Sequence, residues 1–195
     1  MTDPGILGVS LHLAARLAYV IGVGVALTLE DRARLLSRSD GPHVAFRRFS
    51  RVAGTLMVVD CVTFILMCGL TRGSLRLPFD RPDLIVAGAV LVLVGAWIKT
   101  WAAVRIGWRA CYWYNFFVPH EPTPLDPPGP YRYLKNPMYT LGYLYTYGLA
   151  LVFGSLPGLI LAAFDQASIL AFYYRVEKPH YEQLCDPAYD GLSGD

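Results

Sequence analysis

The stretch GPYRYLKNPMYTLG, residues 129–142, lies between one long apolar segment and another and decides how the C-terminal half is arranged. Pro127, Pro128 and Pro130 surround its first glycine. Proline lacks an amide hydrogen and clashes with a preceding helical turn, so the chain must turn here and lie over a membrane face. Asn136 is then a favourable N-cap residue and Pro137 fits a first helical turn. An apolar helix is therefore expected to open near Tyr139.

The segments on either side set the fold class. Of 195 residues, 54% are hydrophobic and 16% charged, and the apolar residues fall in long runs. A soluble domain of this size needs more surface charge, whereas a polytopic membrane protein does not. Residues 6–29, 52–70 and 84–104 each approach the roughly 20 residues that cross about 30 Å of hydrocarbon. The segment 139–174 is too long for one crossing and is broken by Gly154-Ser155-Leu156-Pro157-Gly158, a turn-forming cluster. It reads as two shorter helices, 139–153 and 158–174. The expected fold is an all-α polytopic membrane helix bundle of about five transmembrane helices, with a C-terminal helical hairpin.

Charge sets the expected orientation. The loop 30–51 carries Arg32, Arg34, Arg38, Arg47, Arg48 and Arg51, which places it in the cytoplasm by the positive-inside rule. Alternation puts the N-terminus and the loop 71–82 outside, although Arg72, Arg76 and Arg81 lie in the latter. Arg105, Arg109, Arg132 and Lys135 agree with the larger cluster. The loop 30–51 also holds Leu35, Leu36, Val44, Phe46 and Phe49 and reads as an interfacial connector whose arginines snorkel toward headgroups. The two most polar regions of the C-terminal half, 105–138 and the tail after Tyr174, then share the cytoplasmic face.

Several functions are excluded. A net charge of +2, with no basic block interleaved with aromatics away from the membrane flanks, argues against nucleic-acid binding. Cys61, Cys68, Cys111 and Cys185 have no metal-ligand spacing, so neither a metal site nor a structural disulfide is expected. Residues 1–5 carry no positive charge and the apolar run to Leu29 is too long for a cleavable signal.

Three blocks between residues 95 and 189 resemble the integral-membrane methyltransferases, which include phospholipid N-methyltransferases and isoprenylcysteine carboxyl methyltransferases. The first runs from Gly95 and Lys99 to Gly107, and Lys99 also suits a simple interfacial lysine. The second is 129–142, where Lys135-Asn136-Pro137 is closer to the phospholipid branch than to the Arg-His-Pro of the isoprenylcysteine branch. Its Gly142 falls one residue later than the family pattern. The third is Arg175-Val176-Glu177-Lys178-Pro179-His180, with Leu184 and Tyr189 beyond. There the family carries a Glu-Glu pair; Glu177 matches the first acid and Lys178 replaces the second, leaving Glu121, Asp126 and Glu182 as possible stand-ins.

The resemblance implies an S-adenosylmethionine-dependent methyltransferase acting on a membrane lipid, most closely on a phosphatidylethanolamine-type headgroup amine. It implies cofactor binding by Lys99, Gly129, Pro130, Tyr131, Arg132, Tyr133, Asn136, Pro137, Tyr139 and Glu177. The helix start at Asn136 would present free N–H groups to the cofactor's oxygens. Glu177 and His180 are the candidate catalytic residues, because a protonated amine must lose a proton before it attacks. Tyr143 and Tyr147 follow Tyr139 at four-residue spacing and suit either a substrate slot or ordinary helix packing. Asp60 and Asp165 are costly in hydrocarbon and are expected to pair with Arg16 or a tyrosine.

The expected organisation is one domain over 1–195, with N-terminal spans at 1–82 and a cofactor-binding core at 95–189. The expected setting is a bacterial inner membrane with the site facing the cytoplasm. An isoprenylcysteine-type carboxyl methyltransferase is the alternative within the family. An NADPH-dependent intramembrane reductase shares a related signature but carries Glu after the motif's glycine, where this chain has Tyr143. A small channel or transporter subunit would spread polar residues along several spans, whereas here they gather at one face.

Overall fold

Asp3 and Pro4 open the first helix. The Asp3 side chain accepts a hydrogen bond from the Gly5 amide at 2.8 Å, and Pro4 occupies a first-turn position whose amide would have no helical partner anyway. In the computed structural model, which describes residues 3–119 and 136–184, this helix (α1) runs Pro4–Ala33. It is followed by α2 (Pro42–Leu70), α3 (Arg81–Ile106) and the short α4 (Trp108–Cys111). After a 3₁₀ turn at Leu141–Tyr143 come α5 (Leu144–Phe153) and α6 (Leu156–Phe172), and a π turn at Tyr173–Glu177 leads into α7 (Lys178–Leu184). The described residues contain no strand. This is a polytopic helical membrane bundle.

Four helices, Pro4–Ala33, Pro42–Leu70, Arg81–Ile106 and Leu156–Leu184, are long and apolar enough to cross a membrane. The remaining apolar helix, Leu141–Phe153, is shorter, so the fourth of the five expected spans is a reduced one. α1 has 30 residues, about 45 Å at helical rise, against about 30 Å of hydrocarbon. Of the expected 30–51 connector, α1 takes residues 30–33 and α2 takes 42–51, since basic side chains can leave the end turns of a helix without breaking it. Only the segment 34–41 remains between α1 and α2. Buried Glu30 closes it by accepting from the amides of Leu36 at 2.8 Å and Ser37 at 3.1 Å, with Arg34 in the left-handed region at φ 49°. Phe46 and Phe49 belong to α2 and are buried, where an interfacial connector was expected.

Helix ends gather at two faces. On one, Thr71 and Ser155 hydroxyls lie 2.6 Å apart and Leu75 donates its amide to the Gly154 carbonyl at 2.9 Å. Arg81 donates to the Val152 carbonyl at 2.6 Å, which occupies this cation with the exposed C-terminal carbonyls of α5 and accounts for its presence opposite the main arginine cluster. On the other, basic face, Arg34 donates to the Phe116 carbonyl at 2.9 Å and the Asp31 carboxylate meets His180 at 2.7 Å. Tyr19, Phe46, Phe49, Trp113, Phe116 and Phe172 form an aromatic core, while a smaller cluster centres on Phe64, Met67 and Leu161.

Glycine sets how closely α3 meets α5. A Cβ on Gly95 would lie 2.4 Å from the Tyr145 amide nitrogen, and one on Gly148 would lie 2.5 Å from the Gly88 carbonyl oxygen. Backbone-to-backbone approach of this kind drives helix association where no hydrophobic effect is available. Gly95→Ala is therefore expected to lower stability by about 1–3 kcal/mol, as overpacking does. Gly22→Ala, with nothing within 4 Å of the added carbon, should be neutral or stabilising through helix propensity. Thermal unfolding of both variants in detergent checks the difference; equal effects would contradict the close-packed seam.

Candidate active site

Trp113 anchors the site from the loop that follows α4. The chain passes Gly107 at φ 82° and turns back at Trp113, whose own φ is 58°, an uncommon conformation for a bulky residue. The turn sends the indole inward, where it is 2% exposed and meets the edge of Phe172 with centroids 5.5 Å apart. Its indole N–H donates to Glu177 Oε1. Tyr139 donates its hydroxyl to the same oxygen at 2.6 Å. Glu177 is 6% exposed, and among the described residues these two partners of its carboxylate are neutral donors. Burial and the neighbouring Glu177 charge push the Tyr139 phenol well above its ordinary range, so it keeps its proton and remains a donor.

Two features place Glu177. The π turn at Tyr173–Glu177 shifts the register between α6 and α7, a local widening common at functional sites. Gln166 on α6 donates to the carbonyls of Tyr139 at 3.3 Å and Thr140 at 3.1 Å. It thereby ties the turn that carries Tyr139 to the helix that leads to Glu177. Asn136 accepts from the Tyr139 amide at 3.3 Å, as a capping residue does. The turn it caps is isolated, however: Gly142 donates to the Pro137 carbonyl at 2.8 Å and α5 begins only at Leu144. The helix expected to open near Tyr139 thus starts five residues later, and Tyr139 does not share a helical face with Tyr143 and Tyr147.

His180, 5% exposed, stacks on Phe116 with centroids 3.7 Å apart. A carboxylate only accepts, so the 2.7 Å bond to Asp31 fixes the proton on Nδ1 and leaves Nε2 as the basic nitrogen of neutral His180. Lys178 is exposed and pairs with Glu182 at 3.4 Å, so neither the residue in place of the second family acid nor that stand-in is engaged with Glu177. Glu121 and Asp126 lie outside the described residues, as do the candidate cofactor residues Gly129, Pro130, Tyr131, Arg132 and Tyr133.

A second polar layer lies within the bundle. Arg16, 1% exposed, donates to Asp60 at 3.0 Å, Ser168 at 2.9 Å and the Tyr143 hydroxyl at 2.9 Å, and to the Asp165 carbonyl. His12 bridges Asp165 and Thr63, both at 3.1 Å. The expected pairing of both intramembrane aspartates with Arg16 is present. Lys99 turns into this layer instead of reaching the interface, and its ammonium lies 5.2 Å and 4.8 Å from the ring centres of Tyr143 and Tyr145. Tyr147 donates to Gln166 at 2.8 Å. The structure thus joins Tyr139 and Glu177 directly, sets Lys99 and Tyr143 in the adjacent layer, and links Tyr147 back through Gln166.

Sequence reasoning passed over Trp113, Gln166 and Asp31. The available signal for the first was the aromatic run Tyr112-Trp113-Tyr114-Asn115-Phe116-Phe117 in a segment flanked by Gly107 and Pro119. A run of that kind off the spans calls for a buried role.

The site thus sets a buried carboxylate, held by an indole and a phenol, at the basic face of a multi-span helical bundle. The phospholipid methyltransferase family matches residues 84–186, more than half of the chain. The chain belongs to that family. It is 34% identical over 139 residues to a phosphatidylethanolamine N-methyltransferase of Aspergillus fumigatus, covering 65% of this chain and 15% of that protein. Namesakes from Clavispora lusitaniae and Debaryomyces hansenii are 32% and 27% identical, covering 71% and 72% of this chain and 17% of each relative. The chain therefore spans about a sixth of the length of these relatives. All three are fungal, so they lend no support to the expected bacterial inner membrane. No solved structure matches the chain.

Proposed function

We propose that this protein transfers a methyl group to the headgroup amine of a phosphatidylethanolamine-type lipid, using S-adenosylmethionine at the basic, cytoplasmic face. The observation that carries the proposal is Glu177, a buried carboxylate held by a phenol and an indole. Such a site favours a cation, through the negative charge and through aromatic faces, and so fits a sulfonium donor. We assign the cofactor-binding core to residues 95–189. Asn136, Pro137, Tyr139 and Glu177 would hold the donor, together with Lys99 and the 129–133 segment. When bound, S-adenosylmethionine supplies a methyl carbon made electrophilic by the adjacent sulfonium.

The chain's own contribution is alignment, exclusion of water and control of one proton. Trp113, itself packed on Phe172, and Tyr139 cover the carboxylate with aromatic surface, which strengthens its hold on positive charge. His180, oriented by Asp31, is the proton acceptor for the ammonium of the lipid headgroup, whose nitrogen then has a free lone pair for in-line attack. Tyr143 and Tyr147 are assigned to the lipid side of the site, where they also brace Arg16 and Gln166.

Expression in a host without N-methylated phospholipids tests this directly. Lipid mass spectrometry should show mono-, di- or trimethylated phosphatidylethanolamine; methylated prenylcysteine with no methylated phospholipid would contradict the acceptor. The rate should also rise with pH across the neutral range. A primary amine titrates near the lysine value of about 10, so its attacking form grows almost tenfold per pH unit, whereas a carboxylate acceptor is fully ionised throughout. A flat profile of kcat/KM between pH 6.5 and 8.5 (about two decades in amine fraction) would count against an amine acceptor.

A further inference from the structure

α1 and α6 do not close against each other along their membrane-facing edge. They border a groove of about 540 Å³, a volume in the range of ligand sites. Leu17, Ile21 and Val25 form one wall, 44%, 57% and 52% exposed, and Phe164 and Phe172 form the other. Gly24 faces Phe172 across the groove's inner side, where an added Cβ would sit 3.4 Å from the ring, in ordinary contact. From Phe164 to Val176 the floor rises twelve residues, about 18 Å at helical rise, close to the depth of one leaflet of a 30 Å hydrocarbon core. Its wall is apolar apart from the hydroxyls of Ser168 and Thr28, and exposed Arg175 stands at the mouth on the basic face. Among the described residues Arg175 has no carboxylate partner within ion-pair distance. Phe172 also carries the Trp113 indole on its edge, and that indole holds Glu177.

We infer that the α1–α6 groove is a lateral binding site for a glycerophospholipid of the basic-face leaflet, with an acyl chain along Leu17–Val25 and the phosphodiester on Arg175. This deepens the proposed function and rests on it for the identity of the lipid. A largely apolar trough one leaflet deep, ending in a cation that no carboxylate among the described residues pairs with, complements a molecule with one long apolar chain and one phosphate at its head. A guanidinium suits that phosphate because its forked donors match two oxygens at once. A protein or detergent seated on the groove would use the apolar walls alone and leave Arg175 idle.

The test uses the full chain in vesicles of phosphatidylcholine containing phosphatidylethanolamine with a diazirine midway along one acyl chain. After photolysis, peptide mass spectrometry should find adducts concentrated on residues 17–25 and 164–176 and suppressed by excess unlabelled phosphatidylethanolamine. Adducts spread evenly over the outer faces of α2 and α3, or a dominant cross-link to a second copy of the chain, overturn the inference. Two variants add a kinetic arm. Ile21→Trp fills the groove from an already exposed position, and Arg175→Gln removes the cation. Each should raise the lipid KM about tenfold, the size of one lost charge-assisted hydrogen bond or a blocked contact, with S-adenosylhomocysteine affinity unchanged. Unchanged lipid KM in both variants refutes the groove. Failure of methyl transfer to any lipid, with labelling still confined to the groove, would overturn the proposed reaction and leave the groove standing; transfer with even labelling would do the reverse.

Discussion

Glu177→Gln is expected to lower methyl transfer by about 10²–10³-fold while leaving the fold intact, the range found when a single preorganised electrostatic group is removed from an active site. The amide keeps the shape of the side chain, and its carbonyl oxygen can still accept from Trp113 and Tyr139 as Glu177 Oε1 does. The charge is lost and the second oxygen becomes an NH2 donor, while the shape and the Oε1 contacts stay, so a loss of turnover with the fold intact points to the charge. Glu177→Ala is a different experiment. It leaves an indole and a phenol without a buried acceptor, at about 1–3 kcal/mol for each orphaned group, and confounds catalysis with stability. The check is kcat/KM for both substrates together with S-adenosylhomocysteine affinity by calorimetry. A Gln variant with wild-type turnover would remove Glu177 from the mechanism.

The largest effect on stability is expected at Arg16. Arg16→Met removes four donated hydrogen bonds, to Asp60, Ser168, Tyr143 and the Asp165 carbonyl, strands the Asp60 carboxylate and leaves that of Asp165 with His12 alone. Breaking a buried ion pair from one side typically costs about 3–5 kcal/mol, because the remaining charge is left uncompensated. The double variant Arg16→Met/Asp60→Asn should recover part of that loss, since it discharges the stranded Asp60. Denaturation in detergent, arranged as a double-mutant cycle, measures the coupling. A single-variant loss below about 1 kcal/mol, the range of an exposed pair, would show that water reaches the cluster and that it is not a structural keystone.

The parts of the fold that sequence made legible are those governed by local physics. Apolar length marked the spans, and the Gly154–Gly158 cluster marked the tight turn, where Gly154 takes φ 62° and Ser155 caps α6 by accepting from the Gly158 amide at 2.9 Å. Hydrocarbon cost pointed to Asp60 and Asp165, and Arg16 was their named partner. What escaped were contacts between residues far apart in the chain. Trp113 and Glu177 are 64 positions apart and His12 and Asp165 are 153, and no periodicity encodes such pairs. Lys99 sits near a helix end, where a lysine is expected to reach for the interface, yet the Tyr143 and Tyr145 rings draw it inward. Asn136 carried an N-cap signal that was correct for its own turn but could not reveal the interruption before α5.

Incubation of the purified protein with S-adenosylmethionine labelled in its methyl group and vesicles of phosphatidylethanolamine is the most direct test of the proposed activity. Chromatography of the lipid fraction should show label in methylated phosphatidylethanolamine, accumulating with time and abolished by excess S-adenosylhomocysteine. Lipid that stays unlabelled while the same preparation binds S-adenosylhomocysteine would contradict methyl transfer to this headgroup.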